Sequence, residues 1–231
     1  MATRYNSQII KDGLVLHLDA GNPKSYSGAG TSWYDLSGNG RHFAWVSSPS
    51  FTTGQIPYFS TLNNRCTGPA SNSFGIDNTS GYTIFMHAMQ NSLVATAAFK
   101  FYYAGGGRGI FAHCTWVDDS VYFDQGGCCG SDTRTSVASG GSQSWNLWGF
   151  RRTASTERSI WKNGTSLTSN TAAPAAINLN STAVDLGSSD EYGGNTSTWN
   201  ARLATFIVYN RGLTDAEMRQ NHNALKSRFG L

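Results

Sequence analysis

Three groups of residues carry the types that recognition of a sugar requires. Trp33, Tyr34, Asp35 and Asn39 lie close together in the chain, as do Trp116, Asp118, Asp119 and Tyr122. Tyr192, Asn195 and Trp199 form a third set. An aromatic face offers an apolar platform, and a neighbouring amide or carboxylate supplies the few placed polar groups that fix orientation. Each group is therefore a glycan-binding candidate. The competing reading is that each tryptophan belongs to the core or pins a loop.

Catalysis finds less support. A retaining glycosidase holds two carboxyl groups about 5–5.5 Å apart. The chain has only three glutamates, Glu157, Glu191 and Glu217, far apart in sequence. Asp118 and Asp119 are adjacent, so on a strand they would point to opposite faces. There is no phosphate loop, no Gly-x-Ser-x-Gly elbow and no His-x-x-x-His pair. We expect no catalytic residue and no obligatory cofactor. Asp19, Asp35 and Asn39 place oxygen donors in one region and are calcium candidates, although such residues also cap turns. The four cysteines are Cys66, Cys114, Cys128 and Cys129. Bridging the adjacent pair would strain the backbone, so free thiols are expected. Pairing with Cys66 or Cys114 stays open for an oxidising setting, and a metal site ranks last.

The 231 residues carry a net charge of +3 with no basic run, which argues against nucleic acid as the partner. No window approaches the roughly 18 apolar residues of a membrane span, so membrane insertion is not expected. No apolar stretch of signal-peptide length opens the chain, which points to synthesis in the cytoplasm without a signal peptide. Charged residues are only 13%, glycines number 26 and aromatics reach 13%. That balance suits an all-β protein with many turns and an uncharged Ser/Thr/Asn surface.

The elements agree. Residues 1–12 read as an N-terminal arm, and 13–231 as one domain. Leu14, Leu16 and Leu18 alternate with Val15, His17 and Asp19, the period of a strand, and His17 reads as a packed strand histidine. Residues 20–41 form a long Gly- and Asn-rich loop. Strands are expected at 43–46, 57–60, 82–88, 93–103, 110–116, 121–123, 145–152, 159–162, 165–168, 183–187 and 202–209. A glycine turn at 105–107 divides two of them. Asn163-Gly164 has the residues of a type I′ hairpin turn. Residues 168–181 read as a surface connection. Residues 203–209 are apolar on both faces, as in a strand buried on two sides. Thr214 and Glu217 have the spacing of a capping box. Met218, His222, Leu225 and Phe229 follow at helical spacing, with Gly230 placed to end the helix. The outcome is a two-sheet antiparallel sandwich with one C-terminal helix.

Several motifs together resemble a family. Gly13-Leu14-Val15-Leu16-His17-Leu18-Asp19-Ala20-Gly21-Asn22 followed by Trp33-Tyr34-Asp35-Leu36-Ser37-Gly38-Asn39-Gly40 looks like the opening of concanavalin A-like (laminin-G-like) jelly-roll virion structural proteins of tailed bacteriophages. The Trp145 strand leading to Asn163-Gly164 is similar to their central hairpin. The stretch 121–129 is similar to viral members, and 201–217 resembles their last strand and closing helix. The resemblance implies an all-β jelly-roll sandwich with adjacent first and last strands. It also implies a non-enzymatic subunit decorating a capsid or forming part of a head or tail appendage. Its partners would be other virion proteins, such as the major capsid protein or tail components, and copies of itself, with a possible host surface glycan. A carbohydrate-binding, lectin-like module for host adhesion is the alternative.

Overall fold

Strands that alternate apolar and polar residues must bury one face, and here two sheets bury theirs against each other. The computed structural model describes residues 8–103, 108–154, 156–187 and 198–229. Residues 1–7 of the expected arm, the glycine turn at 105–107, Glu191, Tyr192, Asn195 and Gly230 lie outside the described residues.

The strands are β1 (Leu14–Asp19), β2 (Ser32–Trp33), β3 (Phe43–Trp45), β4 (Ser50–Thr52), β5 (Tyr58–Ser60), β6 (Cys66–Ala70), β7 (Tyr82–Gln90) and β8 (Phe99–Tyr102). They continue as β9 (Arg108–His113), β10 (Ser120–Gln125), β11 (Arg134–Ala138), β12 (Asn146–Arg152), β13 (Arg158–Lys162), β14 (Thr165–Asn170), β15 (Ala183–Leu186) and β16 (Ala201–Tyr209). Helix α1 spans Asp215–Phe229. The first sheet runs β14-β13-β12-β7-β16-β5-β4, with β1 also paired to β16. The second runs β11-β10-β9-β8-β15-β6-β3-β2. The expected all-β sandwich with one C-terminal helix is what the chain forms.

β16 is the hub of the first sheet. It pairs antiparallel with β7 along one flank and with β1 and β5 along the other. Phe206 and Val208 enter the apolar core between the sheets, with Leu16, Leu18, Phe59, Phe99, Phe123 and Phe150. Ile207 and Tyr209 face the other way, into a second cluster with Phe85, Leu147, Trp161, Met218, Leu225 and Phe229. The helix thus covers the outer face of the first sheet. Each buried side chain of this size contributes about 1.5–3 kcal/mol.

The helix starts as its sequence implies. The Thr214 N–H donates to Glu217 Oε2 at 2.8 Å, and the Glu217 N–H donates to Thr214 Oγ1 at 3.3 Å. One inward position differs. His222 is only half-buried, and Asn221 is buried instead. Its Oδ1 accepts the Ile10 N–H at 2.8 Å and its amide donates to the Tyr209 hydroxyl at 3.1 Å. A polar residue survives there because residues 8–12 bring it partners. Ile9 and Ile10 pack on the same cluster, so this part of the expected arm lies against the helix and sheet.

Other differences have local causes. Asn163 and Gly164 take φ of 49° and 78°, the conformation of a type I′ turn, and β14 runs on to Asn170. The run 93–103 supplies a strand only at its end, because the chain turns where the Thr96 N–H donates to the Val94 carbonyl. The 110–116 strand stops at His113 and turns through Asp119, at φ 58°. β6 and β11, rich in Thr, Ser, Gly and Pro, carry no apolar alternation to announce them. Cys128 and Cys129, expected as free thiols, are joined to each other. The loop accommodates the bridge because Gly126, Gly127 and Cys129 all take positive φ. Cys66 and Cys114 are free and buried.

Candidate functional site

The fold divides the first candidate group. Trp33 turns inward on β2, is fully buried, and packs on Trp45 and Phe59 with ring centroids 6.2 and 4.8 Å away. A ring enclosed in the core has no face to offer a sugar, which corrects that expectation. Tyr34 points outward, 45% exposed, with its ring 5.2 Å from that of His42. Asp35 accepts the N–H groups of His17 (3.0 Å), Ser37 (2.8 Å) and Arg41 (3.1 Å), and the Ser37 hydroxyl (2.7 Å). Burial pushes its carboxyl up, but these bonds outweigh burial and hold it below the usual carboxylate range. The Asn39 amide donates to the Leu14 carbonyl at 3.2 Å and the Ser37 hydroxyl at 2.9 Å. Asp35 and Asn39 therefore shape the loop.

The calcium candidates do not fit an ion. Asp19 is buried and faces the Arg228 guanidinium, with Nη1 2.5 Å from Oδ2 and Nη2 donating to Oδ1 at 2.8 Å. A cation at Asp19 would have to displace Arg228. Asp35 and Asn39 are already committed to the loop. Among the described residues no group of three His, Cys, Asp or Glu side chains converges. Trp199 of the third aromatic group is likewise core, its Nε1 donating to the Cys114 carbonyl at 3.1 Å.

The second group is brought together, except for Asp119. β10 sends Val121 and Phe123 inward and Tyr122 and Asp124 to the outer face of the second sheet. The Tyr122 hydroxyl donates to Asp118 Oδ2 at 2.6 Å, and this bond holds the Asp118 carboxyl below its usual range. Trp116 is half-buried with its ring 4.8 Å from His113, which lies 6.2 Å from the Tyr122 ring. Asp119 turns away, and its Oδ1 accepts the hydroxyls of Ser139 (2.7 Å) and Ser142 (3.0 Å). It ties two loops together.

Arg134, which the sequence did not single out, completes this corner. From β11 its guanidinium lies over the Tyr122 ring at 4.3 Å. Its Nε and Nη2 each donate to Asp124 at 2.6 Å, a two-point pair. Burial raises the Asp124 carboxyl, but the Arg134 bonds outweigh it and the carboxyl ends below its usual range.

Arg134 also borders a cleft of about 520 Å³. It lies where β11, the edge of the second sheet, meets β14, the edge of the first. The lining includes Cys129, Ser131, Thr135, Ser136, Ser169 and Asn170. Asn170 ties the two edges, its amide donating to the carbonyls of Ser131 (2.8 Å) and Arg134 (3.0 Å). Serine and threonine side chains on both edges give the cleft a polar, hydroxyl-bearing wall of the kind that can meet a small polyhydroxylated ligand. The Ser/Thr/Asn tract at 165–171 was the available signal, and it reads equally well as a solvent-facing edge strand.

Fold and cleft are those of a two-sheet antiparallel β-sandwich with a polar cleft at its edge. Trypanosoma rangeli sialidase aligns with 94% of this chain at 14% identity and a TM-score of 0.66, over 33% of the sialidase chain. The binding domain of Paraclostridial mosquitocidal protein 1 aligns with 93% of this chain at 16% identity and TM-score 0.69, over 52% of its own length. The binding domain of botulinum neurotoxin DC, solved in complex with rat synaptotagmin II, gives 94%, 12% and 0.68, again over 52%. This chain thus spans between a third and about half of these proteins, and the likeness is one of fold. No protein family matches the chain by sequence, and no curated protein does.

Proposed function

We propose that this chain is a non-catalytic binding module that holds a saccharide in the cleft between β11 and β14, and that it serves as a structural subunit on the particle of a tailed phage. The observation that carries the binding reading is the hydroxyl- and amide-lined cleft beside the stacked Tyr122 and Arg134. The non-catalytic reading is supported by how the carboxylates are used. Glu157 pairs with Arg151 at 2.7 Å, Glu217 caps the helix and pairs with Arg211 at 2.6 Å, and Asp124 is held by Arg134. The virion reading is supported by the sequence resemblance at 13–40, 145–164 and 201–217. Its partners would be other virion proteins and further copies of the chain, and a free lectin for host adhesion is the alternative.

Two measurements test this. A glycan array with the whole chain is expected to give saccharide binding that is unchanged by chelation of calcium. An array without any binding would remove the saccharide reading. Mass spectrometry and antibody labelling of purified particles are expected to find the chain in stoichiometric copies. Its absence from particles would remove the virion reading and leave the lectin.

A further inference from the structure

The bridge between Cys128 and Cys129 joins two of the chain's four cysteines. The other two, Cys66 and Cys114, are buried, and burial pushes their thiols well above the ordinary value, which leaves them unreactive. Cys128 is half-buried and Cys129 is exposed. A bridge between neighbours in sequence closes almost no loop, so it does little to restrict the unfolded chain. Its effect is local, and what it holds is one wall of the cleft.

Cys129 lines the cleft together with Gly130 and Ser131. Cys129 takes φ of 75°, in the left-handed region. A residue with a β-carbon disfavours that region by about fivefold or more, where a glycine would not. From Cys129 the chain passes straight into a set of bonds. The Gly130 carbonyl accepts the N–H groups of Thr133 (3.1 Å) and Arg134 (2.7 Å), and the Gly130 N–H donates to Thr133 Oγ1 at 3.0 Å. The Ser131 carbonyl accepts Nη2 of the buried Arg158 on β13 at 2.7 Å and the Asn170 amide on β14 at 2.8 Å. The backbone of Cys129 therefore sets where Gly130 and Ser131 lie, and these two residues start β11 and tie it to the first sheet.

A bridge open to solvent can be reached by a thiolate, and a small thiol reductant opens it in two exchanges. The reductant thiolate attacks one bridge sulfur, forms a mixed disulfide and expels the other cysteine as a thiolate. A second reductant thiolate attacks the mixed disulfide, frees the second cysteine and leaves as the reductant's own disulfide. Two electrons and two protons pass to the protein. With the ring open, no covalent bond holds Cys129 in the left-handed region.

We infer that the Cys128–Cys129 bridge is a redox latch on the cleft: bridged, it holds the Gly130–Ser131 wall in the form that takes a ligand, and reduced, it lets Cys129 leave the left-handed region and the wall shift. This rests on the saccharide reading of the cleft and adds its regulation.

The test compares the whole chain after air oxidation and after treatment with dithiothreitol. Thiol titration in denaturant is expected to find Cys66 and Cys114 alone before treatment and all four cysteines after it. Four thiols in the air-oxidised chain overturn the inference. Amide hydrogen exchange needs no ligand. The Thr133 and Arg134 amides are expected to exchange at least about fivefold faster after reduction, the weight of one left-handed residue, and to recover on reoxidation. Unchanged exchange overturns the latch whatever the sugar does. On a glycan array the reduced chain is expected to bind its saccharides at least about fivefold more weakly, because the competent wall is then the minor form. Equal binding in both forms overturns the inference and leaves the cleft itself standing. Binding in neither form removes the saccharide reading alone, and the exchange result then upholds or overturns the latch. The double variant Cys128→Ser, Cys129→Ser is expected to match the reduced chain in both readouts and to ignore dithiothreitol; a variant that keeps the exchange and binding of the oxidised chain overturns the inference. Should it not fold, the reduced natural chain decides.

Discussion

Acid should destabilise this fold through two histidines, the buried His87 and the half-buried His17. His87 on β7 sits between Trp145 and Phe229, with ring centroids 4.8 and 4.5 Å away. It is 0% exposed and neither ring nitrogen has a partner. Burial lowers its pKa from 6.5 to about 3. His17 on β1 also has an unpartnered Nε2; burial first, then Lys11 and Arg228, lower it to about 4. Both rings are neutral in the fold, whereas the unfolded chain takes up their protons below pH 6.5. Stability is therefore full above that value and falls as pH drops towards the folded pKa values. From pH 7 to pH 5 each histidine costs about 2 kcal/mol, or about 4 kcal/mol together, a large part of a typical domain's stability. Urea unfolding at the two pH values measures this directly. His87→Phe should reduce the pH effect by about half while keeping the stack with Trp145. Unfolding free energies that agree within about 1 kcal/mol between pH 7 and pH 5 would refute the argument.

Further outcomes follow from local geometry. Glu217→Ala removes the helix cap and the 2.6 Å pair with Arg211, and urea unfolding should show a loss of about 1–2 kcal/mol. Gly164→Ala places a Cβ 2.8 Å from His222 Cδ2 at φ +78°, and should lower stability by about 1–3 kcal/mol in thermal melts. Cutting the chain before Leu203 removes most of β16 and should abolish native circular dichroism and cooperative melting, because β1, β5 and β7 all pair with that strand.

Where burial and periodicity coincide, the sequence was legible. Residues 203–209 are apolar on both faces because the core lies on one side and the helix on the other. Asn163-Gly164 and Thr214/Glu217 are local codes that need no tertiary information. β11 was not legible, because Arg134 and its Ser/Thr neighbours are chosen for an edge and a cleft. The sequence left Trp33 between platform and core because loop and core tryptophans have the same local sequence, and only the partners Trp45 and Phe59 tell them apart. The burial of Arg158 was not legible either, because it follows from the sheet lying across from it.

The position of β16 also governs how the chain reaches its fold. Every strand it pairs with precedes it, and β1 meets it from nearly the far end of the sequence, as in Leu16 opposite Val208. Such pairings close very long loops, so contact order is high and folding should be slow for a domain of this size. Until β16 is made, β7 and β1 expose open edges and Ile84, Met86, Leu16 and Leu18 lack their cover. A nascent chain stalled before residue 201 is thus an aggregation hazard and a client for chaperones. The step that completes the sheet also brings in the helix that follows it, so this one stretch commits both apolar clusters at once.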